Sequence, residues 1–155
     1  MRPIFKCIVT LFLVLLCTLG AFAQSSPDAA AKDFFSSVAE KSYANAWHLM
    51  SSQSQNWLVG LIAEQAKVAP AQVKALFDSN DPSLQDGFWE EFRKSSKSED
   101  LVKLGQFQTV EATGTDAKVS MTINGSVKTL LMKKEDGWKL GYQETFMPSG
   151  QLPKP

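Results

Sequence analysis

The spacing of the apolar residues changes near Leu101, and this change constrains the fold more than any other feature of the chain. From Ala31 to about Ser95 the apolar residues recur every three or four positions, which is the period of an amphipathic helix. From about Lys103 to Phe146 they tend to alternate with polar residues, which is the period of a half-buried strand. Helices first and strands second predict an α+β domain, with N-terminal helices packed on a curved antiparallel sheet of about four strands.

Two helix starts stand near the beginning of the helical half. Ser26-Pro27-Asp28 combines an N-cap serine, a proline at the first helical position and an acid in the first turn. Ser42 can cap a second, shorter helix. The apolar stripes that these two helices would bury are Ala31, Phe34, Phe35 and Val38 in the first, and Tyr43, Trp47 and Met50 in the second.

The helical pattern continues from Ser54 to Ser95. Pro70 opens one helix of this segment and Asp81-Pro82 opens another. Core packing is the favoured interpretation for Trp57 and Trp89, whereas an exposed aromatic side chain at either position would indicate a contact surface. One face of the last helix is predicted to carry, at four-residue steps, Leu84, Phe88 and Phe92.

The first strands of the predicted sheet meet at a recognisable turn. A first strand is predicted over residues 103–113, and its imperfect alternation suggests a bulge. Asn124-Gly125 predicts a two-residue hairpin turn, because both residues accept positive φ. The strand before this turn is predicted to bury Val119, Met121 and Ile123 and to expose Lys118, Ser120 and Thr122.

The partner strand is predicted over residues 127–133, and its register across the turn stays open. A two-residue turn would pair Ile123 with Ser126, whereas a match of apolar residues would pair Ile123 with Val127. Glu135-Asp136-Gly137 turns the chain again. The last strand is predicted to carry in alternation Trp138, Leu140, Tyr142 and Phe146.

Residues 1–23 have the order of a cleavable signal peptide. Positive charge comes first, an apolar stretch follows, and Ala21-Phe22-Ala23 is a small-x-small cleavage pattern. One alternative is an uncleaved anchor, for which the apolar stretch is short. Another is a lipoprotein centred on Cys17, which lacks a small residue before the cysteine. We therefore expect export to the periplasm or the extracellular space, and a mature protein that starts near Gln24.

Removal of this segment would remove both cysteines, Cys7 and Cys17. The mature chain would then have no disulfide and no cysteine metal ligand, so its core alone would hold it together. It has room for a single domain, residues 24–147, followed by a loose tail, residues 148–155. It carries no basic cluster that would indicate nucleic acid binding, and no later apolar stretch long enough for a membrane span.

Two stretches of the chain resemble the nuclear transport factor 2-like superfamily, the cystatin-like or ketosteroid-isomerase-like cones, and in particular its small secreted branch. In residues 31–50 a helix ends, a short polar break follows, and a helix with the pattern aromatic-x-x-Ala-aromatic begins. Residues 133–140 resemble the family's late hairpin, in which a charged turn leads into a strand that starts with tryptophan. The resemblance implies a curved antiparallel sheet wrapped around a long helix, with an apolar pocket in the cone.

The resemblance does not imply one activity, because the family includes isomerases, dehydratases, binding modules and dimerisation domains. Its isomerase branch places a tyrosine hydroxyl in the middle of the first helix. Asp33-Phe34-Phe35 stands at the matching place and offers no hydroxyl there. We therefore predict no catalytic residue from the resemblance.

Few residues of the mature chain suggest acid–base or metal chemistry. His48 is the one histidine; it lies off the apolar stripe of its helix and is expected to face solvent. Asp33 is expected to be solvated. Glu111 and Glu144 fall in strand patterns, where the solvent face is favoured and the concave face of the sheet is the alternative. No cluster of ligand-type residues accompanies the histidine, so we predict no metal and no cofactor.

Three functional hypotheses follow from these observations. The first is an exported, non-catalytic module that binds a small apolar ligand or a protein partner. The second is a small isomerase- or dehydratase-type enzyme that uses Glu111, Glu144 or Tyr142. The third is an interaction domain that forms a homodimer through its open sheet face. For the first hypothesis, the side chains predicted to line the pocket are Phe34, Tyr43, Trp47, Met121 and Tyr142.

Overall fold

The computed structural model describes residues 26–149. The predicted signal peptide at residues 1–23, the expected mature start at Gln24 and residues 150–155 of the predicted tail lie outside the described residues. None of the described helices is both long enough and apolar enough to cross a membrane.

Helices come first along the described chain and a sheet follows, so the predicted α+β class is confirmed. The helices before the sheet are α1 (Pro27–Ala39), α2 (Tyr43–His48), α3 (Ser52–Ala66), α4 (Pro70–Asp78), α5 (Pro82–Leu84), a π-helical turn (Gln85–Trp89), α6 (Glu90–Ser96) and α7 (Ser98–Leu104). The strands are β1 (Gln106–Ala112), β2 (Asp116–Ile123), β3 (Ser126–Lys134) and β4 (Trp138–Leu140), after which comes α8 (Tyr142–Phe146).

The sheet is an antiparallel meander in the order β1-β2-β3-β4. The predicted bulge is present in β1, where the register shifts between Thr109 and Glu111. Asn124 and Gly125 form the predicted two-residue turn, both with positive φ, of 49° and 78°. The turn pairs Ile123 with Ser126 and so settles the register that the sequence left open.

Helix α1 crosses the inner face of the sheet and contacts all of its strands. Side chains fill the space between them, and five that are fully buried are Phe34, Phe35, Val38, Val119 and Leu130. Val119 and Met121 of β2 face this core and Lys118 is exposed, as predicted. Ile123, predicted to be buried, is half-buried, and so are Ser120 and Thr122, which were predicted to be exposed. The helical half therefore covers the apolar face of the sheet.

Two predicted strand boundaries were wrong. Residues 103 and 104 belong to α7, because α7 has acids in its first turn, Lys103 in its last turn and the buried Leu101 as its anchor. Gly105 then ends the helix at a place where a Cβ would stand 2.3 Å from the Leu101 carbonyl oxygen. After Leu140 the chain forms α8 rather than more strand.

The formation of α8 has a local reason that the alternating pattern concealed. Tyr142 and Phe146 are two alternation steps apart, but they are also one helical turn apart, and their ring centroids lie 5.1 Å from each other. The Gly141 N–H donates to the Leu131 carbonyl at 2.7 Å, and the Thr145 N–H closes the helix on Gly141 at 2.9 Å. Packing of α8 against α3 and β3 then favours the helix.

Candidate functional site

Four of the five predicted pocket residues are packed within the core. Phe34 is fully buried, and Tyr43, Trp47 and Met121 are buried as well. Phe34 and Tyr43 both contact the Trp89 ring, while Trp47 stacks on another aromatic ring at 4.1 Å. The three aromatic side chains therefore hold the helices to one another, and Met121 fills the core from β2. Tyr142 is the predicted residue that lies at an open cavity.

The Tyr43 hydroxyl is already engaged in a polar cluster. It donates to Glu90 Oε1 at 2.5 Å, and Arg93 donates to Glu90 Oε2 through two nitrogens at 3.2 and 3.0 Å. Lys41 Nζ lies 3.1 Å from the same carboxylate, and Arg93 also pairs with Glu99. The cluster ties α6 to the α1–α2 connection, which is a structural role.

The contacts within this cluster shift the pKa values of Glu90 and Tyr43. Hydrogen bonds from Arg93, then from Tyr43 and Lys41, lower the pKa of Glu90 from its ordinary value near 4.5 to about 2. Burial, and then the hydrogen bond to Glu90, raises the pKa of Tyr43 to about 12. Tyr43 therefore stays protonated and donates to a carboxylate, so it has no free hydroxyl for a ligand.

Three overlapping cavities adjoin one another at one side of the molecule, and Tyr142 lines all three. We call them together the Tyr142 groove. Its apolar section, of about 330 Å³, has as main walls Trp57, Leu61, Ile62 and Leu84. Its middle section, of about 450 Å³, includes Gly87, Phe88, Glu91, Phe92 and Met147. Its cationic section, of about 230 Å³, includes Ser95, Ser96, Lys128 and Phe146. The volumes of the apolar and middle sections match the lower range of ligand pockets in proteins, and the cationic section is smaller.

The π-helical turn shapes the floor of the groove. Leu84, Phe88 and Phe92, predicted on one helix face, do line the same groove. The helix that carries them is not regular, because a π-helical turn lies between α5 and α6. Trp89 enters the core, 2% exposed, whereas Phe88 stays half-buried at the groove. Gly87 leaves space beside Phe88, since a Cβ at Gly87 would meet no atom within 4 Å.

Tyr142 is the buried polar residue of the groove. Its ring lies against Phe88, Phe92 and Phe146, with centroid separations of 6.1, 5.3 and 5.1 Å. Only 4% of the residue is exposed, and no hydrogen bond joins its hydroxyl to another described residue. Burial raises the pKa of Tyr142 to about 12, so the hydroxyl remains a donor. A donor in this setting suits the polar atom of a bound molecule.

Lys128 stands at the other polar position of the groove. It lies on β3, opposite Met121, and its Nζ is 4.2 Å from the centroid of the Phe146 ring. The side chain is exposed, and partial burial of its ammonium lowers the pKa of Lys128 from its ordinary value. Within residues 26–149 no carboxylate forms an ion pair with Lys128.

The histidine and the acids that were candidates for catalysis lie outside the Tyr142 groove. His48 and Asp33 are exposed, as expected. Glu111 is also exposed, and it pairs with Lys118 at 2.6 Å. Glu144 belongs to α8 rather than to a strand. No group of three or more metal-ligating residues occurs in the described part of the chain.

Glu144 differs from the exposed acids. Its Oε2 accepts a hydrogen bond from Ser54 at 3.1 Å, while its Oε1 is buried and has no hydrogen-bond partner among the described residues. Glu144 does not line any of the sections of the Tyr142 groove. Its visible role is to join α8 to the first turn of α3.

Sequence reasoning anticipated part of the groove and missed the rest. At Trp57 the sequence did point to the groove. An exposed aromatic residue there was expected to indicate a contact surface, and Trp57 is half-buried at the groove wall. Gly87, Phe88 and Lys128 were not singled out as site residues. Their positions depend on the π-helical turn and on the register of β3, which have no clear local pattern.

The fold and the site define an α+β domain with a filled centre and an aromatic groove at its side. Comparison of the chain with protein-family models, with curated proteins and with solved structures found no match.

Proposed function

We propose that this chain is an exported, non-catalytic binding module, and that it holds a small, mainly apolar ligand in the Tyr142 groove. The observation that carries the proposal is the Tyr142 hydroxyl, which has no partner among the described residues, on a 4% exposed side chain in an aromatic cavity. The hydroxyl donor opens on the groove and is not held by another described residue, so it is available to an acceptor atom of a bound molecule. Export rests on the charged, apolar and small-residue order of residues 1–23.

We also propose that the domain belongs to the nuclear transport factor 2-like superfamily. Support comes from the two sequence stretches, residues 31–50 and 133–140, and from the order of helices followed by an antiparallel sheet. In this domain the interior between α1 and the sheet is filled by side chains such as Phe34 and Leu130. The proposed ligand therefore binds beside the core rather than at the centre of a cone.

The test is to purify the mature protein from its native host and to identify bound small molecules by mass spectrometry. We expect one class of apolar compound to be enriched, and its addition to ligand-free protein to raise the melting temperature. At a hundredfold excess over Kd the free energy of unfolding should rise by about 2.7 kcal/mol. N-terminal sequencing of the same material should find a start at or near Gln24.

A matched pair of glycine variants tests whether the ligand binds in the Tyr142 groove. Gly87→Leu places a side chain into the groove, while Gly60→Leu places one on an open surface of α3, where a Cβ also meets no atom within 4 Å. We expect Gly87→Leu to lose the ligand and Gly60→Leu to retain it. Equal binding by both variants would contradict a site at the groove.

One observation favours the enzyme hypothesis: the buried Oε1 of Glu144 has no hydrogen-bond partner among the described residues. A buried carboxylate oxygen with no hydrogen-bond partner is a candidate acceptor for a substrate proton, although the other oxygen of Glu144 is held by Ser54. Incubation of the protein with the compounds it binds should give no turnover. Turnover that is lost in Glu144→Gln and kept in the exposed control Glu111→Gln would replace the binding proposal with the enzyme hypothesis.

A further inference from the structure

The two ends of the Tyr142 groove differ in chemistry, and the difference indicates what kind of molecule fits. At one end the apolar section is walled by an indole and aliphatic side chains, including Trp57 and Ile62. At the other end the cationic section has Lys128 and two serines beside Phe146. A ligand that matches both ends has an apolar tail and a polar head. This step rests on the proposed function.

The charge of the head follows from Lys128. Lys128 is exposed at the rim of the groove, its Nζ lies 4.2 Å from the centroid of the Phe146 ring, and partial burial lowers its pKa. No described carboxylate pairs with it. An anionic head would supply an ion-pair partner for the ammonium through a charge-assisted hydrogen bond. The Tyr142 hydroxyl, a donor that lines the same section, would give the head a second hydrogen bond.

One acid limits where an anion can sit. Glu91 is exposed and lines the middle section, so a second negative charge there would meet repulsion. Neither Glu91 nor another acid lines the section that holds Lys128. The head is therefore placed at the Lys128 end, and the tail extends past Phe88 toward Trp57.

From this arrangement we infer that the ligand is a single-chain amphipathic carboxylate of the free fatty acid type. Its carboxylate pairs with Lys128 and accepts from the Tyr142 hydroxyl, and its alkyl chain covers Phe88 and the apolar section. A neutral lipid of the same chain length cannot form an ion pair with Lys128. A doubly charged head meets one cation and is disfavoured.

Three probes of equal chain length separate charge from hydrophobicity: palmitate, palmityl alcohol and methyl palmitate. With the mature wild-type protein we expect palmitate to bind at least about tenfold more tightly than the other two, which corresponds to about 1.4 kcal/mol. Lys128→Met keeps an apolar stem and removes the charge, so it should bring palmitate down to the affinity of the alcohol. Lys118→Met, on the outer face of the sheet, is the control and should leave the affinity for palmitate unchanged.

The outcomes distinguish this inference from the proposed function. Equal affinity for the three probes, or palmitate binding that is unchanged in Lys128→Met, overturns the inference while the groove remains a binding site. If none of the probes binds, but the compound from the native host binds wild type and not Gly87→Leu, the inference fails and the proposed function stands. If Gly87→Leu leaves the binding of every compound unchanged, both fail.

Discussion

Tyr43 shows how distant neighbours decide what a single residue does. As part of an apolar stripe with a hydroxyl at its end, it was a reasonable candidate for the orientation of a ligand. Glu90, which lies 47 positions later in the chain, accepts its hydrogen bond and removes it from that role. Tyr142, a residue of the same type, has no such partner among residues 26–149, and so its hydroxyl is free for a ligand. The two tyrosines were equivalent candidates in the sequence.

Glu90 should link the stability of the domain to acid pH. The pKa of Glu90 is lowered to about 2 in the folded protein. The stability that its ionised carboxylate contributes is therefore fully present above its ordinary pKa near 4.5, and it is lost as the pH falls through about 2. We expect Glu90→Gln to be less stable than wild type near neutral pH, and the gap to narrow between about pH 4.5 and 2.

Denaturant midpoints of both proteins across this pH range measure the gap. Glu91→Gln is the matched control, because Glu91 is the next residue of α6 and is exposed. A gap between Glu90→Gln and wild type that stays constant with pH would mean that the ion pairs of Glu90 do not contribute through its charge.

Serines precede several of the helices, and the structure separates those that cap from those that do not. Ser51, before α3, is 1% exposed; its Oγ accepts from the Ser54 N–H at 3.2 Å and donates to the Ser54 Oγ at 2.9 Å. Ser54 in turn binds Glu144 and the N–H of Gln143, so the first turn of α3 also holds α8. Ser42, before α2, is exposed and makes no capping hydrogen bond with its side chain.

The two caps should therefore respond differently to alanine. We expect Ser51→Ala to lower the free energy of unfolding by about 1–2 kcal/mol, because a buried cap and the hydrogen bond to the Ser54 hydroxyl are lost together. Ser42→Ala should change it by less than about 0.5 kcal/mol. Chemical denaturation of the two variants measures the difference, and equal effects would contradict a capping role that is specific to Ser51.

At the scale of the whole molecule, the register of the sheet decides which apolar residues enter the core. The turn at Asn124-Gly125 pairs Ile123 with Ser126, and this places Leu130 opposite Val119 inside the molecule. Val127 is left 67% exposed on the outer face. A register that paired Ile123 with Val127 would have moved every side chain of β3 to the opposite face.

This register predicts opposite results for two neighbouring apolar residues. Leu130→Ala should cost about 2–5 kcal/mol, because it opens a cavity between α1 and the sheet. Val127→Ala should cost less than about 1 kcal/mol, which is the range of strand propensity at an exposed position. Unfolding in denaturant compares the two variants with wild type. A larger loss for Val127→Ala than for Leu130→Ala would show that β3 pairs in the other register.

Local patterns in the sequence were sufficient for the class of the fold and for many of its elements. The start of α1 at Ser26-Pro27, the turn at Asn124-Gly125 and the inward face of β2 depend on periodicity and on the φ preferences of neighbouring residues, which are properties of short segments. For the same reason the order of helices before strands was visible without any knowledge of contacts.

Only the tertiary structure decided the end of the sheet and the candidate site. Tyr142 and Phe146 satisfy both a strand pattern and a helix pattern, and packing of α8 on α3 selects the helix. The groove joins Trp57, Phe88, Lys128 and Tyr142, which lie on four separate elements. No local preference encodes which of these side chains meet, because their meeting depends on how α3, the π-helical turn and α8 pack against the sheet, and this packing is selected by the whole core.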